Sequence, residues 1–155
     1  MEIAILGLGC FWSPEIKFSK LEGIIKTEVG YCGGHSAQTN YREVCSGTTN
    51  HAEVVKLDFD PKIITFERIL EYFFEFHDPT TLNSQGPDFG TQYRSEIFYL
   101  NDEQKNTAKK IIDKDWACGK AVDWAKVILF FNDVEDCVDF LALRNIACKI
   151  CGLCS

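Results

Sequence analysis

Two apolar rhythms interleave along this chain, and their interleaving restricts the available architectures more than any single motif does. Short apolar or period-two stretches at 1–9, 23–31, 51–59, 95–100 and 127–131 predict strands, because alternate side chains of an extended chain face opposite sides. Between them, Phe66, Ile69, Leu70, Phe73 and Phe74 recur at helical spacing, as do Ala108, Ile111 and Ile112 within 102–116, and Val134, Cys137, Val138 and Leu141. A shorter helix is expected from Ser13, Pro14 and Glu15, which read as an N-cap, a first-position proline and a first-turn acid. Strands and helices that alternate in this way bury one another's apolar faces in layers. The expected fold is therefore α+β: a single two-layer α/β sandwich with a mixed, mainly antiparallel sheet, a ferredoxin-like core and an irregular cysteine-rich C-terminal tail. At 155 residues the chain is read as one domain, 1–155, with 144–155 as that tail.

The formal net charge of −7 argues against nucleic-acid and anionic-membrane partners, since a protein that binds a phosphate backbone needs a positive field. The longest apolar tract, 127–131, falls far short of the roughly 20 residues that cross a bilayer. The N-terminus lacks the basic start of an export signal and reads as the first strand. Eight cysteines in a chain read as unexported are expected to be thiols kept reduced in the cytoplasm, so their positions call for a chemical explanation.

Cys10 is the first of them. It stands between the first strand and the first helix, where unpaired helix N–H groups favour a thiolate. On the strand at 51–59, Glu53 shares a face with Val55, Leu57 and Phe59. A carboxyl on such a face should hold its proton to higher pH and be able to donate it near neutrality. The long loop from 79 to 94, punctuated by Pro87 and Gly90 and closed by Tyr93, has the length at which loops in compact domains tend to be functional.

The local sequence Gly9-Cys10-Phe11-Trp12 resembles the signature of the A-type peptide methionine sulfoxide reductases. The same family is matched by Val29-Gly30-Tyr31-Cys32-Gly33-Gly34, by Tyr41-Arg42-Glu43-Val44-Cys45-Ser46-Gly47 and by His51-Ala52-Glu53. Further on, His77-Asp78-Pro79-Thr80-Thr81 and Gly90-Thr91-Gln92-Tyr93-Arg94-Ser95 also match, so the likeness covers about the first 100 residues. It implies reduction of methionine S-sulfoxide, protein-bound or free, with Cys10 attacking the sulfoxide sulfur. It further implies that Glu53 supplies the proton, Tyr41 and Tyr93 donate hydrogen bonds to the oxygen, Phe11 and Trp12 pocket the substrate methyl, and Asp88 lines the same pocket. The product on Cys10 would be a sulfenic acid that a second thiol resolves. No metal or organic cofactor is expected; the reductant would be thioredoxin, glutaredoxin with glutathione, or dithiothreitol.

The tail offers Cys148, Cys151 and Cys154 as resolving thiols. Their spacing equally suits a zinc or iron-sulfur redox-sensing module, with Cys137 or Cys118 as a fourth ligand. Otherwise Cys118 and Cys137 read as core residues, and Cys45 as structural rather than resolving. A thiol hydrolase that pairs Cys10 with His35, His51 or His77 as base is a further rival.

Overall fold

A computed structural model describes residues 1–36, 38–117 and 128–131. The strands β1 (Glu2–Leu8), β2 (Ile24–Cys32), β3 (Ala52–Phe59), β6 (Ser95–Tyr99) and β7 (Ile128–Phe131) form one sheet, in the order β2-β3-β1-β6-β7. The first four pair antiparallel, and β7 joins β6 parallel after the helix α4 (Asp102–Ala117). That order, with the helix α1 (Trp12–Phe18) after β1 and the helix α3 (Phe66–Phe76) after β3, is the ferredoxin-like arrangement expected above, extended by one edge strand.

Apolar periodicity explains the layering. Phe18 of α1, Ile69, Leu70 and Phe73 of α3, and Ala108 and Ile111 of α4 meet Ala4, Leu6, Val29, Val55, Leu57, Phe59 and Ile97 of the strands in one buried cluster. A smaller cluster on the opposite side of the sheet holds Ile5, Cys32, Ala52, Val54 and Phe98. The strand β3 is thus apolar on both sides near Glu53, and it turns polar on one side only at Lys56 and Asp58.

Helix ends are fixed by local chemistry. Thr65 caps α3 by accepting from the Arg68 N–H at 3.1 Å, and α3 ends at His77, whose extended backbone stops the helix two residues before Pro79. The short helix α1 departs from expectation. It begins at Trp12 with Phe11 at the N-cap and no side-chain cap, so Ser13 and Pro14 lie inside the first turn. The Glu15 N–H donates to the Phe11 carbonyl at 3.0 Å, so the helix is already under way when Ser13 is reached.

Two small elements were not expected. The helix α2 (Tyr41–Cys45) is capped by Asn40, which accepts from the Glu43 N–H at 3.1 Å. Inside the 79–94 loop, β4 (Ser84–Gln85) pairs with β5 (Asp88–Phe89), and a 3₁₀ turn follows over Thr91–Tyr93. The amphipathic segment at 134–141 and the tail at 144–155, with Cys118, Cys137, Cys148, Cys151 and Cys154, lie outside the described residues. Among the described residues no helix is long and apolar enough to cross a membrane.

Candidate active site

The site is assembled at the end of the sheet where β1 runs into α1. In the antiparallel ladder Leu6 of β1 lies opposite Val55 of β3, so continuing that register brings Leu8, the last residue of β1, to the level of Glu53. The chain then turns through Gly9, whose φ of +84° few side chains adopt. A β-carbon there would also stand 2.5 Å from the Gln85 Cβ. Glycine therefore lets Gln85 of the β4–β5 hairpin pack directly against the turn that precedes Cys10.

Glu53 is 3% exposed. The Phe11 N–H donates to its Oε2 at 3.3 Å, which ties the acid on β3 to the residue following the thiol. Burial pushes its carboxyl up to about 7, the Phe11 N–H opposes that rise, and the nearby Asp88 adds to it. The expectation of a neutral acid on the apolar face is met, and its cause is desolvation. Phe11 is buried and packs edge-on against the half-buried Trp12, with ring centroids 5.5 Å apart.

Cys10 carries a free thiol and is half-buried. Its pKa runs opposite to expectation. Burial raises it above 9, the Trp12 N–H bonded to the sulfur lowers it by less, and the charges on Glu53 and Asp88 raise it again. The helix effect is small because α1 spans seven residues and the Phe11 N–H serves Glu53. The resting group is a thiol that still holds its proton.

Around this pair stand Asp88 on β5, Tyr93 closing the 3₁₀ turn, and Tyr41 opening α2. Burial first, then the charges of Glu53, Asp88, Cys45 and Cys10, pushes the Tyr93 hydroxyl up to about 12. Tyr41 is 38% exposed and hydrogen-bonded to the Cys45 sulfur, which raises its pKa and keeps it a donor. Cys45 is itself exposed and free. Cys32, by contrast, is disulfide-bonded, which departs from the expectation of reduced thiols throughout.

Among the described residues the charges that act on Cys10 are those of Glu53 and Asp88, and no histidine is among them. His77 packs its ring beside Phe73, and its Nδ1 and Nε2 meet the Phe73 carbonyl at 2.6 Å and the Ser95 hydroxyl at 2.9 Å. Burial lowers its pKa to about 4, so near neutrality Nδ1–H donates to the carbonyl and Nε2 accepts from Ser95. Among the described residues no group of three or more His, Cys, Asp or Glu gathers as metal ligands would.

Sequence reasoning did not anticipate two further features. Tyr31 of β2 lies directly across the ladder from Glu53 and is 1% exposed. On the far side of the sheet, Arg94 donates from Nε to Glu96 Oε2 at 2.6 Å and from Nη1 to the Thr91 carbonyl at 2.9 Å, clamping the turn that carries Tyr93. The Arg-x-Glu spacing, which puts both side chains on one face of an extended chain, was the available signal for the second.

A thiol that can be oxidised, beside an acid that keeps its proton near neutrality, places the chain among the thiol-dependent oxidoreductases. The chain belongs to the peptide methionine sulfoxide reductase family, whose sequence pattern it matches over residues 2–132, well past the point near Asn101 where the motif likeness fades. It is similar to the peptide methionine sulfoxide reductase MsrA of Pelagibacter ubique, being 77% identical over 114 residues that cover 74% of this chain and 78% of that protein. The crystal structure of Mxr1 from Saccharomyces cerevisiae in reduced form superimposes with a TM-score of 0.72 at 35% identity, covering 85% of this chain and 77% of Mxr1. The structure of Mxr1 in complex with Trx2 gives a TM-score of 0.57 at 26% identity, with 91% and 81% covered.

Proposed function

We propose that this chain, acting as a single catalytic domain in the cytoplasm, reduces methionine S-sulfoxide, free or within proteins, through Cys10. The observation that carries this reading is Glu53: 3% exposed, held neutral to about 7, and hydrogen-bonded to the residue next to the thiol. A sulfoxide oxygen is a poor leaving group until it is protonated, so the reaction needs an acid that survives to neutral pH inside an apolar pocket.

In the proposed step Sγ of Cys10 attacks the sulfoxide sulfur while Glu53 gives its proton to the oxygen. The oxygen passes to Sγ as the hydroxyl of a sulfenic acid, the substrate sulfur leaves as a thioether with both electrons, and the thiol proton returns to Glu53. The raised pKa of Cys10 fits this ledger, because the thiol brings to the site the proton that restores the acid. Tyr41 and Tyr93 donate to the oxygen as negative charge builds on it. Phe11 and Trp12 enclose the methyl group, and Asp88 lines the rim.

A second thiol then attacks the sulfenic acid, releasing water and forming a disulfide. Cys148, Cys151 and Cys154 are the candidates, and the Mxr1–Trx2 complex supports a thioredoxin as the final reductant, with glutaredoxin and glutathione or dithiothreitol as substitutes. No organic cofactor enters this chemistry.

The deciding experiment measures methionine formed from the S-sulfoxide with dithiothreitol. Wild type should turn over and Cys10→Ser should not; full activity in Cys10→Ser would end the reading. Mass spectrometry after one turnover without reductant then maps the disulfide, if any, that starts at Cys10.

A further inference from the structure

Tyr31 places a polar atom in the site that none of the steps above uses. It is 1% exposed and sits opposite Glu53 in the β2–β3 ladder, where directly paired residues send their side chains to the same face of the sheet. Its ring packs against Phe11, the residue whose N–H holds Glu53, with centroids 5.9 Å apart. Its hydroxyl is buried and has no hydrogen-bond partner among the described residues.

A buried hydroxyl without a partner is an exception in folded proteins, and each instance calls for a reason. Phenylalanine would fill the same space without stranding an oxygen. The surroundings of the hydroxyl supply the reason. After burial, the charges that most oppose its ionisation are those of Glu53, Cys45, Tyr41 and Tyr93, all of them groups of the site. The phenol therefore keeps its proton through the working range and can only donate to an anion nearby. At rest Glu53 is largely neutral and Phe11 occupies its Oε2. Once Glu53 has released its proton, its carboxylate has a free oxygen, buried, with Cys10 and Asp88 beside it and no cation acting on it among the described residues.

We infer that Tyr31 is a positioning residue for Glu53: its O–H turns to the carboxylate that forms when Glu53 protonates the sulfoxide oxygen. The inference rests on Glu53 as the acid. Among the described residues, the charged and titratable groups that face this pair are Cys10 just before α1, Tyr41 and Cys45 of α2, Asp88 of β5 and Tyr93 of the 3₁₀ turn. A donor to the carboxylate favours its ionised form, so it makes Glu53 a stronger acid in the loaded site and speeds proton transfer.

The test compares wild type, Tyr31→Phe and Glu53→Gln in kcat and KM for methionine S-sulfoxide across pH 5 to 9, with dithiothreitol, alongside thermal melts. In Tyr31→Phe, kcat should fall about tenfold, as for loss of one hydrogen bond to a charged group. KM should stay within about twofold, and the alkaline fall of kcat, set by Glu53 losing its proton, should move to higher pH. The melting temperature should not drop, because the atom removed had no partner. Unchanged kcat with an unmoved alkaline limb would make Tyr31 a packing residue and overturn the inference. So would a lower kcat with an unmoved limb, or a variant that no longer melts cooperatively. If wild type shows no turnover, or Glu53→Gln retains it in full, the reading of Glu53 itself fails, whatever Tyr31 does.

Discussion

Glu53 and Glu96 are buried to nearly the same depth, 3% and 2% exposed, and burial pushes both carboxyls up to about 7, yet they lie on opposite faces of the sheet and serve different ends. Glu53 has one backbone N–H and opens toward the thiol of Cys10. Glu96 is locked by the Arg94 guanidinium at 2.6 Å, and Arg94 in turn holds the Thr91 carbonyl. At Glu96 burial and Arg94 pull in opposite directions, and burial prevails in the balance. Arginine keeps its proton at any ordinary pH, so the contact at Glu96 is a charged clamp. A perturbed carboxyl does not by itself mark a reaction site; what it faces decides.

Exchanging the two carboxyls one at a time should separate these roles. Glu53→Gln removes the proton donor and keeps the shape, so kcat for the sulfoxide should fall by about 10²- to 10⁴-fold. A steady-state assay near pH 6 with dithiothreitol measures it, and a loss under fivefold would remove Glu53 from the acid role. Glu96→Ala should act on the fold instead. It leaves the buried Arg94 charge without its partner and should lower stability by about 3–5 kcal/mol in denaturant titration. Activity per folded molecule should follow only as far as the Tyr93 turn loosens. A stable Glu96→Ala protein would show that the clamp contributes little.

The smallest effect expected concerns pH. The Glu53 carboxyl is held above its ordinary value of 4.5, so between 4.5 and about 7 the folded protein keeps a proton that the unfolded chain has released. That source of stability is complete below 4.5 and is lost as pH rises through 7. Above 7, Glu53→Gln should therefore be more stable than wild type by up to about 3 kcal/mol, the difference fading toward pH 4.5. Parallel denaturant titrations at pH 5 and pH 8 check the sign, and a variant less stable than wild type at pH 8 would reverse it.

The positions of the main strands and the neutral acid are readable from the sequence because both rest on periodicity. Val55, Leu57 and Phe59 define a buried face, and Glu53 is on it by parity alone. The elements that escaped are too short for a period to register: α2 has five residues, and β4 and β5 have two each. Tyr31 escaped for a different reason. Between Gly30 and Cys32 on an apolar strand it reads as ordinary core, and only its register with Glu53 distinguishes it. The direction of the Cys10 pKa is not legible in the sequence, which shows a helix start and does not show how much solvent the sulfur loses.

The pairing of Tyr31 with Glu53 also ties chemistry to folding in a way that concerns damage and repair of the protein itself. Side chains on a strand alternate, so a slip of β3 by a single residue against β2 would carry the acid to the far side of the sheet while leaving almost every backbone hydrogen bond replaceable. A mispaired molecule would pass a circular dichroism check and still be inert. Catalysis is thus the more sensitive gauge of whether this sheet has zipped correctly, and recovery of turnover during refolding should lag behind recovery of secondary structure.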